Sequence, residues 1–217
     1  MAGAYEILIL SSVASSLLAA VIAIQASRAY WFTKRRYLLN FVSGFFLMSI
    51  SYYLLAFGLE PIGRLEIAAG FEWPRLVVQA TAFALIASSY YSKDRSGERF
   101  FLAGFAALGS LAFLFVLLAH PPNGGADEFV FLINTILSVY VFGKSAQGYQ
   151  KGGTKESRLA VIGFGLLAVG QYTWLIWGLD GGDASFLFAS SSRAIGLAII
   201  ASSFLLFKRR EDRKSVV

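Results

Sequence analysis

Residues 185–207 read SFLFASSSRAIGLAIIASSFLLF, from which the class of fold can be inferred. This stretch is apolar over the roughly 20 residues that an α-helix needs to cross about 30 Å of hydrocarbon. Its single charged residue is Arg193, and a run of basic residues begins directly after Phe207. The stretch is therefore predicted to be a transmembrane helix.

Six further apolar runs precede this one and are almost free of charge. Together they predict an all-α polytopic membrane bundle of seven transmembrane helices at residues 1–207, followed by a basic cytoplasmic tail at residues 208–217. The composition agrees, because 57% hydrophobic and 15% charged residues lie outside the range of ordinary globular domains. The six runs are residues 7–26, 37–58, 73–92, 100–119, 129–150 and 159–178.

The charged residues between the runs predict the orientation of the helices. Lys and Arg near the ends of spans are retained on the cytoplasmic side. Most of the nineteen basic residues lie in the first, third and fifth connections and in the tail, whereas the other connections are acidic apart from Arg64 and Arg75. This pattern predicts a multi-pass protein of the cell membrane with its amino end outside and its carboxyl end in the cytoplasm.

The basic surplus says little about binding partners. A net charge of +6 and an isoelectric point near 9.6 would suggest nucleic acid in a soluble protein, but here the orientation rule already requires the surplus. We therefore expect a lipid bilayer as the environment and no nucleic-acid partner, and the oligomeric state stays open. With no cysteine and the single histidine His120, no metal site is expected.

Parts of the chain resemble each other, which predicts a parallel 3+1+3 repeat of helices. Residues 51–60, SYYLLAFGLE, align with residues 171–180, QYTWLIWGLD. Residues 79–90, QATAFALIASSY, align with residues 193–204, RAIGLAIIASSF, with half of the residues identical. The second and sixth spans, and the third and seventh, are thus predicted to be related pairs.

Polar residues of five spans are predicted to lie at one depth. At 1.5 Å per helical residue, each falls roughly 7 to 12 Å below the outer surface. Because polar groups are costly in hydrocarbon unless they have partners, we expect these side chains to point toward each other or toward water entering from outside. The predicted layer consists of Tyr52, Gln79, Asn134, Gln171, Tyr172 and Arg193.

Arg193 has two interpretations. With Ser190 one turn away on the same helix face, it could bind a carboxylate, a phosphate or a small inorganic anion. It could instead be a structural clasp that reaches acidic residues of the outer connections or helix carbonyls. Trp174 likewise could wall a ligand pocket together with Tyr52, or could belong to the packing of the bundle.

Two segments resemble the microbial rhodopsin family. They are residues 172–176, YTWLI, in the sixth span and residues 191–200, SSRAIGLAII, in the seventh, with residues 73–75, WPR, loosely similar in the third. In that family a lysine of the seventh helix forms the Schiff base with retinal, and the matching position here is Arg193. A guanidinium cannot form that imine. The resemblance implies an opsin-like protein without covalent retinal.

The favoured function is that of a sensor or signalling component in which a small anionic ligand enters the polar layer and a partner protein reads the change at the basic inner loops. A small-solute carrier built from triple-helix repeats and a non-catalytic assembly subunit are the alternatives. An enzyme is not expected, because the spans carry no acid or base for proton transfer except Lys144, near a span end.

Overall fold

The structure, a computed structural model, describes residues 2–58, 69–91, 126–180 and 183–214. These residues form six α-helices and no strand, which confirms the all-helical fold. Each helix covers one of the predicted apolar runs, apart from the last residue of the run at 73–92, and all the helices except α2 extend beyond their run. The helices are α1 (Ala2–Thr33), α2 (Tyr37–Gly58), α3 (Ala69–Tyr91), α4 (Ala126–Gly152), α5 (Lys155–Asp180) and α6 (Asp183–Lys214).

Five of these helices, all except α3, are long and apolar enough to cross a membrane. Such helices are compatible with an integral membrane protein. The predicted span at residues 100–119 lies outside the described residues. The count of seven helices and their orientation therefore stay predictions. Helix α6 continues to Lys214, past the predicted start of the tail at residue 208.

The six described helices pack in a closed ring. Each consecutive pair is in contact, from α1 against α2 to α5 against α6, and α6 packs against α1. Along α1, α3, α4 and α6 the chain passes from a smaller buried apolar cluster, which includes Leu8 and Phe186, to a larger one, which includes Phe45 and Phe83. Along α2 and α5 it passes from the larger cluster to the smaller one, so these two helices run in the opposite direction. Large apolar residues on the outside of this ring, such as Leu10 and Phe46, are more than half exposed, as expected of a surface that faces lipid.

Glycines set two equivalent helix crossings. A Cβ atom at Gly44 of α2 would lie 2.6 Å from Ile86 Cγ1 and 2.9 Å from the Ala82 carbonyl oxygen of α3. Glycine without a side chain lets the two backbones approach at this distance, as is usual between membrane helices.

The second crossing repeats the first. A Cβ atom at Gly163 of α5 would lie 2.5 Å from Ile200 Cγ1 and 2.7 Å from the Gly196 carbonyl oxygen of α6. Ala82 and Ile86 of α3 thus correspond to Gly196 and Ile200 of α6. The sequence alignment of the third and seventh predicted spans gives the same pairing.

The alignment of the second and sixth spans is wrong by one residue. Pairing Gly44 with Gly163 sets Tyr52 opposite Gln171, both buried, and Tyr53 opposite Tyr172, both more than half exposed. The predicted alignment instead paired Tyr52 with Tyr172, because it maximised identity in a short apolar segment. The exposure of the side chains distinguishes the two registers.

Candidate ligand site

A layer of polar side chains lies between two apolar clusters inside the ring. The larger cluster includes Phe45, Phe83 and Leu197, and the smaller one includes Leu8, Val130 and Phe186. On α2 the chain passes from Met48 in the larger cluster through Tyr52 to Leu55 in the smaller one. The same order of cluster, polar residue and cluster recurs on α3, α4, α5 and α6. We call these five residues the polar layer: Tyr52, Gln79, Asn134, Gln171 and Arg193, each at most 2% exposed.

Two other predicted site residues are also buried. Trp174 is 1% exposed and lies one turn from Gln171 on α5, and Ser190 is 3% exposed and lies one turn from Arg193 on α6. The structure thus brings seven of the eight predicted residues into the interior of the ring.

Tyr172 lies elsewhere, because its side chain is 55% exposed on the outer face of the ring. The expectation that Tyr172 points into the layer is wrong. Successive residues of an α-helix point about 100° apart, since 3.6 residues make a turn. When Gln171 occupies the inward position on α5, its neighbour must point away from the interior.

Arg193 is held by its own helix and by aromatic rings of α2 and α5. Its Nε donates a hydrogen bond to the Ala189 carbonyl oxygen at 3.2 Å, and its Nη2 donates to Ser190 Oγ at 3.0 Å. The guanidinium carbon lies 4.4 Å from the centre of the Trp174 ring and 5.3 Å from that of Tyr52. Cation–π attraction at these distances favours a charge in the layer.

Gly170 makes room for the stem of Arg193. A Cβ atom at this position would lie 2.7 Å from Arg193 Cγ and 3.0 Å from the Ala189 carbonyl oxygen. The close approach of α5 and α6 here fixes the path of the side chain toward Trp174. The position of the guanidinium therefore follows from backbone packing as well as from its hydrogen bonds.

A second arginine, Arg75, reaches the same tryptophan. The Arg75 guanidinium carbon lies 4.4 Å from the centre of the Trp174 ring and 5.9 Å from that of Phe131, and the side chain is fully buried. The backbone of Arg75 also accepts a hydrogen bond from Ser51 Oγ of α2 at 3.1 Å. Trp174 thus has two cationic groups over one ring.

The sequence prediction placed Arg75 in an outer connection and treated Arg193 as the only charge inside the bundle, and both statements are wrong. The apolar run was taken to begin at residue 73, next to Pro74, whereas helix α3 begins at Ala69. Arg75 therefore lies inside the helix. Its spacing of four residues from Gln79, which places both on one helix face, was the signal that could have identified it.

The polar layer, together with Trp174 one turn away, contains buried polar atoms without hydrogen-bond partners in the described part of the chain. Most of them are N–H or O–H donors. Each buried donor left unsatisfied costs about 1–3 kcal/mol, so a group that accepts hydrogen bonds is expected among them. The atoms are Tyr52 Oη, Gln79 Nε2, Gln171 Nε2, Trp174 Nε1, Arg193 Nη1, and Asn134 Nδ2 and Oδ1.

Only part of the layer is linked by short contacts. The side chains of Tyr52 and Gln79 lie beside each other, and both arginines lie near Tyr52. Asn134 is one turn from Phe131, whose ring centre is 5.5 Å from that of Trp174. These contacts connect α2, α3, α4, α5 and α6 around one position.

The chemistry of this position suits an anion. It offers a guanidinium N–H and several neutral donors in surroundings shielded from water, where a charge-assisted hydrogen bond is strong. In the described residues no group of three His, Asp or Glu side chains could hold a metal ion. Comparison with known proteins found no family model, no curated protein and no solved structure that matches this chain.

Proposed function

We propose that this chain is an integral membrane protein that binds a small anion in the polar layer and acts as a sensor. The observation that carries the proposal is the buried Nη1 of Arg193, which has no hydrogen-bond partner among the described residues, as is also true of donors on α2, α3, α4 and α5. An anion would accept from these donors and balance the guanidinium charge. The interpretation of Arg193 as only a structural clasp leaves those donors unexplained.

The distribution of apolar residues supports a sensor over a carrier. The larger apolar cluster has members on all six described helices, among them Phe45, Phe83, Leu167 and Leu197. It fills the interior on one side of the polar layer. Alternating access requires a route from the site to both sides of the membrane, so a packed apolar region there favours binding without transport.

Our proposal also places the sensor's output at the end of the bundle next to the larger cluster. The turns between α1 and α2 and between α4 and α5 lie at that end, since the chain passes from the smaller to the larger cluster along α1 and α4. Both turns expose basic residues, including Lys34, Arg36 and Lys155. A partner protein with an acidic surface could read a change in helix packing there.

The same chain directions support the proposed topology of seven helices with the amino end outside. Helix α3 ends near the larger cluster, and α4 begins near the smaller one. The end of α3 and the start of α4 thus lie at opposite ends of the bundle. The proposed span at residues 100–119 is long enough to connect them, and all four basic segments would then leave the bundle on one side.

Thermal unfolding of the purified protein in detergent micelles tests anion binding. Chloride, nitrate, formate and phosphate would be titrated at constant ionic strength. We expect at least one of them to raise the unfolding temperature saturably, because a ligand that binds the folded state stabilises it. Arg193→Ala should abolish the rise, and Arg193→Lys should retain part of it.

Arg158→Ala is the control, since it removes an exposed arginine from α5 and should leave the anion effect unchanged. An anion effect of wild-type size in Arg193→Ala would eliminate the site. A counterflow assay in proteoliposomes separates sensor from carrier, and exchange of labelled anion across the membrane would refute the sensor.

The proposed opsin relationship has its own test. Arg193→Lys places an amine at the position that matches the retinal lysine in the resemblance. If the layer derives from a chromophore site, purified Arg193→Lys protein incubated with retinal should develop a visible absorption band that is lost on reaction with hydroxylamine. A spectrum equal to that of wild-type protein treated alike would count against the relationship.

A further inference from the structure

Arg75 reaches the site from a different level of the bundle than Arg193 does. It lies one turn before Gln79 on α3 and next to Leu76, a member of the smaller apolar cluster. Arg193 lies in the polar layer itself, at the position of α6 that corresponds to Gln79. Both side chains are buried, and both guanidiniums lie over the ring of Trp174. Two helices thus bring positive charge to one ring.

The two guanidiniums are close enough for each to influence an ion bound at the other. Each guanidinium carbon lies 4.4 Å from the centre of the Trp174 ring, so the two carbons are at most twice that distance, about 9 Å, apart. An anion that accepts a hydrogen bond from Arg193 Nη1 then lies within about 13 Å of the Arg75 charge. Shielded from bulk water, a unit charge at that distance changes the affinity for an ion of opposite charge by about tenfold.

We infer that Arg75 is a second determinant of anion affinity, because its positive charge attracts the anion that is bound at Arg193. This inference rests on the proposed function and adds a residue to its site. Coulombic attraction depends on the charge of the anion and on distance, and it requires no hydrogen bond between the anion and Arg75. The same attraction therefore acts on any small anion in the layer.

Contacts with α2 and α4 fix Arg75 at this distance from the layer. Its carbonyl oxygen accepts a hydrogen bond from Ser51 Oγ, which joins α3 to the residue before Tyr52 on α2. Its guanidinium carbon lies 5.9 Å from the ring centre of Phe131, one turn before Asn134 on α4. A charge held by packing stays where it acts on the bound ion and does not have to be moved there when the ion arrives.

Removing the charge at position 75 tests the inference. Arg75→Met removes the charge and keeps a long unbranched side chain, whereas Arg75→Lys keeps the charge. Dissociation constants of chloride, nitrate and formate would be measured on purified protein in detergent micelles at constant ionic strength. We expect Arg75→Met to bind these anions about tenfold more weakly than the wild type and Arg75→Lys to bind them nearly as tightly as the wild type.

A doubly charged probe separates attraction by charge from a structural role of Arg75. Sulfate carries two negative charges, so its affinity should fall in Arg75→Met by about the square of the factor found for the monovalent anions. A loss of packing alone would weaken all four anions to a similar extent. Arg158→Met is the control, because this exposed arginine lies about 20 Å along α5 from Gln171, and it should leave every affinity unchanged.

The outcomes separate this inference from the proposed function. Affinities in Arg75→Met equal to those of the wild type, or equal losses in Arg75→Met and Arg75→Lys, overturn the role of Arg75 and leave anion binding at Arg193 intact. A loss for sulfate no larger than that for nitrate also overturns it. Failure of chloride, nitrate, formate and sulfate all to bind the wild type overturns the proposed function itself. If Arg75→Met does not fold, Arg75→Gln replaces it, and if sulfate does not bind the wild type, the comparison with Arg75→Lys decides.

Discussion

The group α1–α3 and the group α4–α6 share a backbone framework but supply different side chains to the polar layer. Gly44 and Gly163 make the same close approach, and the layer positions follow in the same register. At those positions, however, the first group has Tyr52 and Gln79 where the second has Gln171 and Arg193. The two helix crossings are equivalent, whereas the polar side chains next to them are not.

The two groups of helices differ most in the side chains that lie one turn from the polar layer. Each group contributes one guanidinium, Arg75 from α3 and Arg193 from α6, yet both lie over Trp174 of α5. The position that corresponds to Trp174 in the first group is Leu55, which is also fully buried. One aromatic ring from one group therefore contacts the cations of both groups, and the proposed site depends on this asymmetry.

Replacing Trp174 with leucine, as at Leu55, makes the two groups alike and should have the largest effect. We expect a loss of about 3 kcal/mol of stability, the low end for truncating a buried aromatic side chain, and a further loss of anion binding because both guanidiniums lose their ring. Thermal and denaturant unfolding would measure it. Trp177→Leu, at a partly buried tryptophan one turn away, is the control, and equal losses in both variants would show that the cation–π contacts contribute nothing beyond packing.

Exchanging the residues at the two equivalent layer positions tests the symmetry of the framework. Arg193→Gln alone should remove the anion-dependent stabilisation, which is about 2.7 kcal/mol at a ligand concentration a hundred times Kd. The double variant Gln79→Arg with Arg193→Gln should recover part of it, because the guanidinium moves to the corresponding position in the other group. A double variant as insensitive to anions as the single one would show that only α6 can present the charge.

Adding a methyl group at each glycine crossing tests whether the two frameworks are equally tight. Gly44→Ala and Gly163→Ala should each cost about 1–3 kcal/mol, because the new Cβ would clash with a backbone carbonyl oxygen on the facing helix. Gly148→Ala is the control, since a Cβ there meets nothing within 4 Å, and it should not destabilise the protein. If only one of these two variants unfolded at a lower temperature than the wild type, the packing at the two crossings would differ more than the Cβ distances at Gly44 and Gly163 suggest.

The smallest effect is expected at the turns that follow α1 and α4. Lys34 has a φ of 53° and Gly153 a φ of 58°, and each amide donates to a tyrosine carbonyl oxygen at 2.7 Å, Tyr30 and Tyr149 respectively. Glycine adopts this left-handed conformation without the cost that lysine incurs. Lys34→Gly should therefore stabilise the protein by about 0.5 kcal/mol, and Gly153→Ala should destabilise it by about 1 kcal/mol. If both variants shifted the unfolding temperature in the same direction, the two turns would not be equivalent in conformation.

Much of this fold could be predicted because the hydrocarbon interior of a membrane constrains the sequence strongly. The run at residues 37–58 coincides with α2, and counting residues from the span ends placed Tyr52, Gln79, Asn134, Gln171 and Arg193 at one level. Depth along a helix follows from the number of residues alone. The interior position of these residues was therefore accessible to sequence reasoning.

Direction around a helix and the true helix start were less accessible. Depth alone could not decide whether Gln171 or Tyr172 faces the interior, since both lie at almost the same level. Arg75 was missed because the helix start was placed too close to it. The contact of both arginines with Trp174 joins α3, α5 and α6, and no local pattern in the sequence encodes such a meeting.

The order of synthesis gives the position of Arg193 a further significance. Tyr52 and Trp174 precede it in the chain, so the rings that receive its guanidinium are made first. An arginine near the centre of a helix costs about 2.5–3.5 kcal/mol when the translocon passes that helix into lipid alone. Helix α6 is thus expected to integrate poorly by itself and efficiently behind α1–α5, which makes the membrane entry of one segment depend on neighbours that arrived earlier.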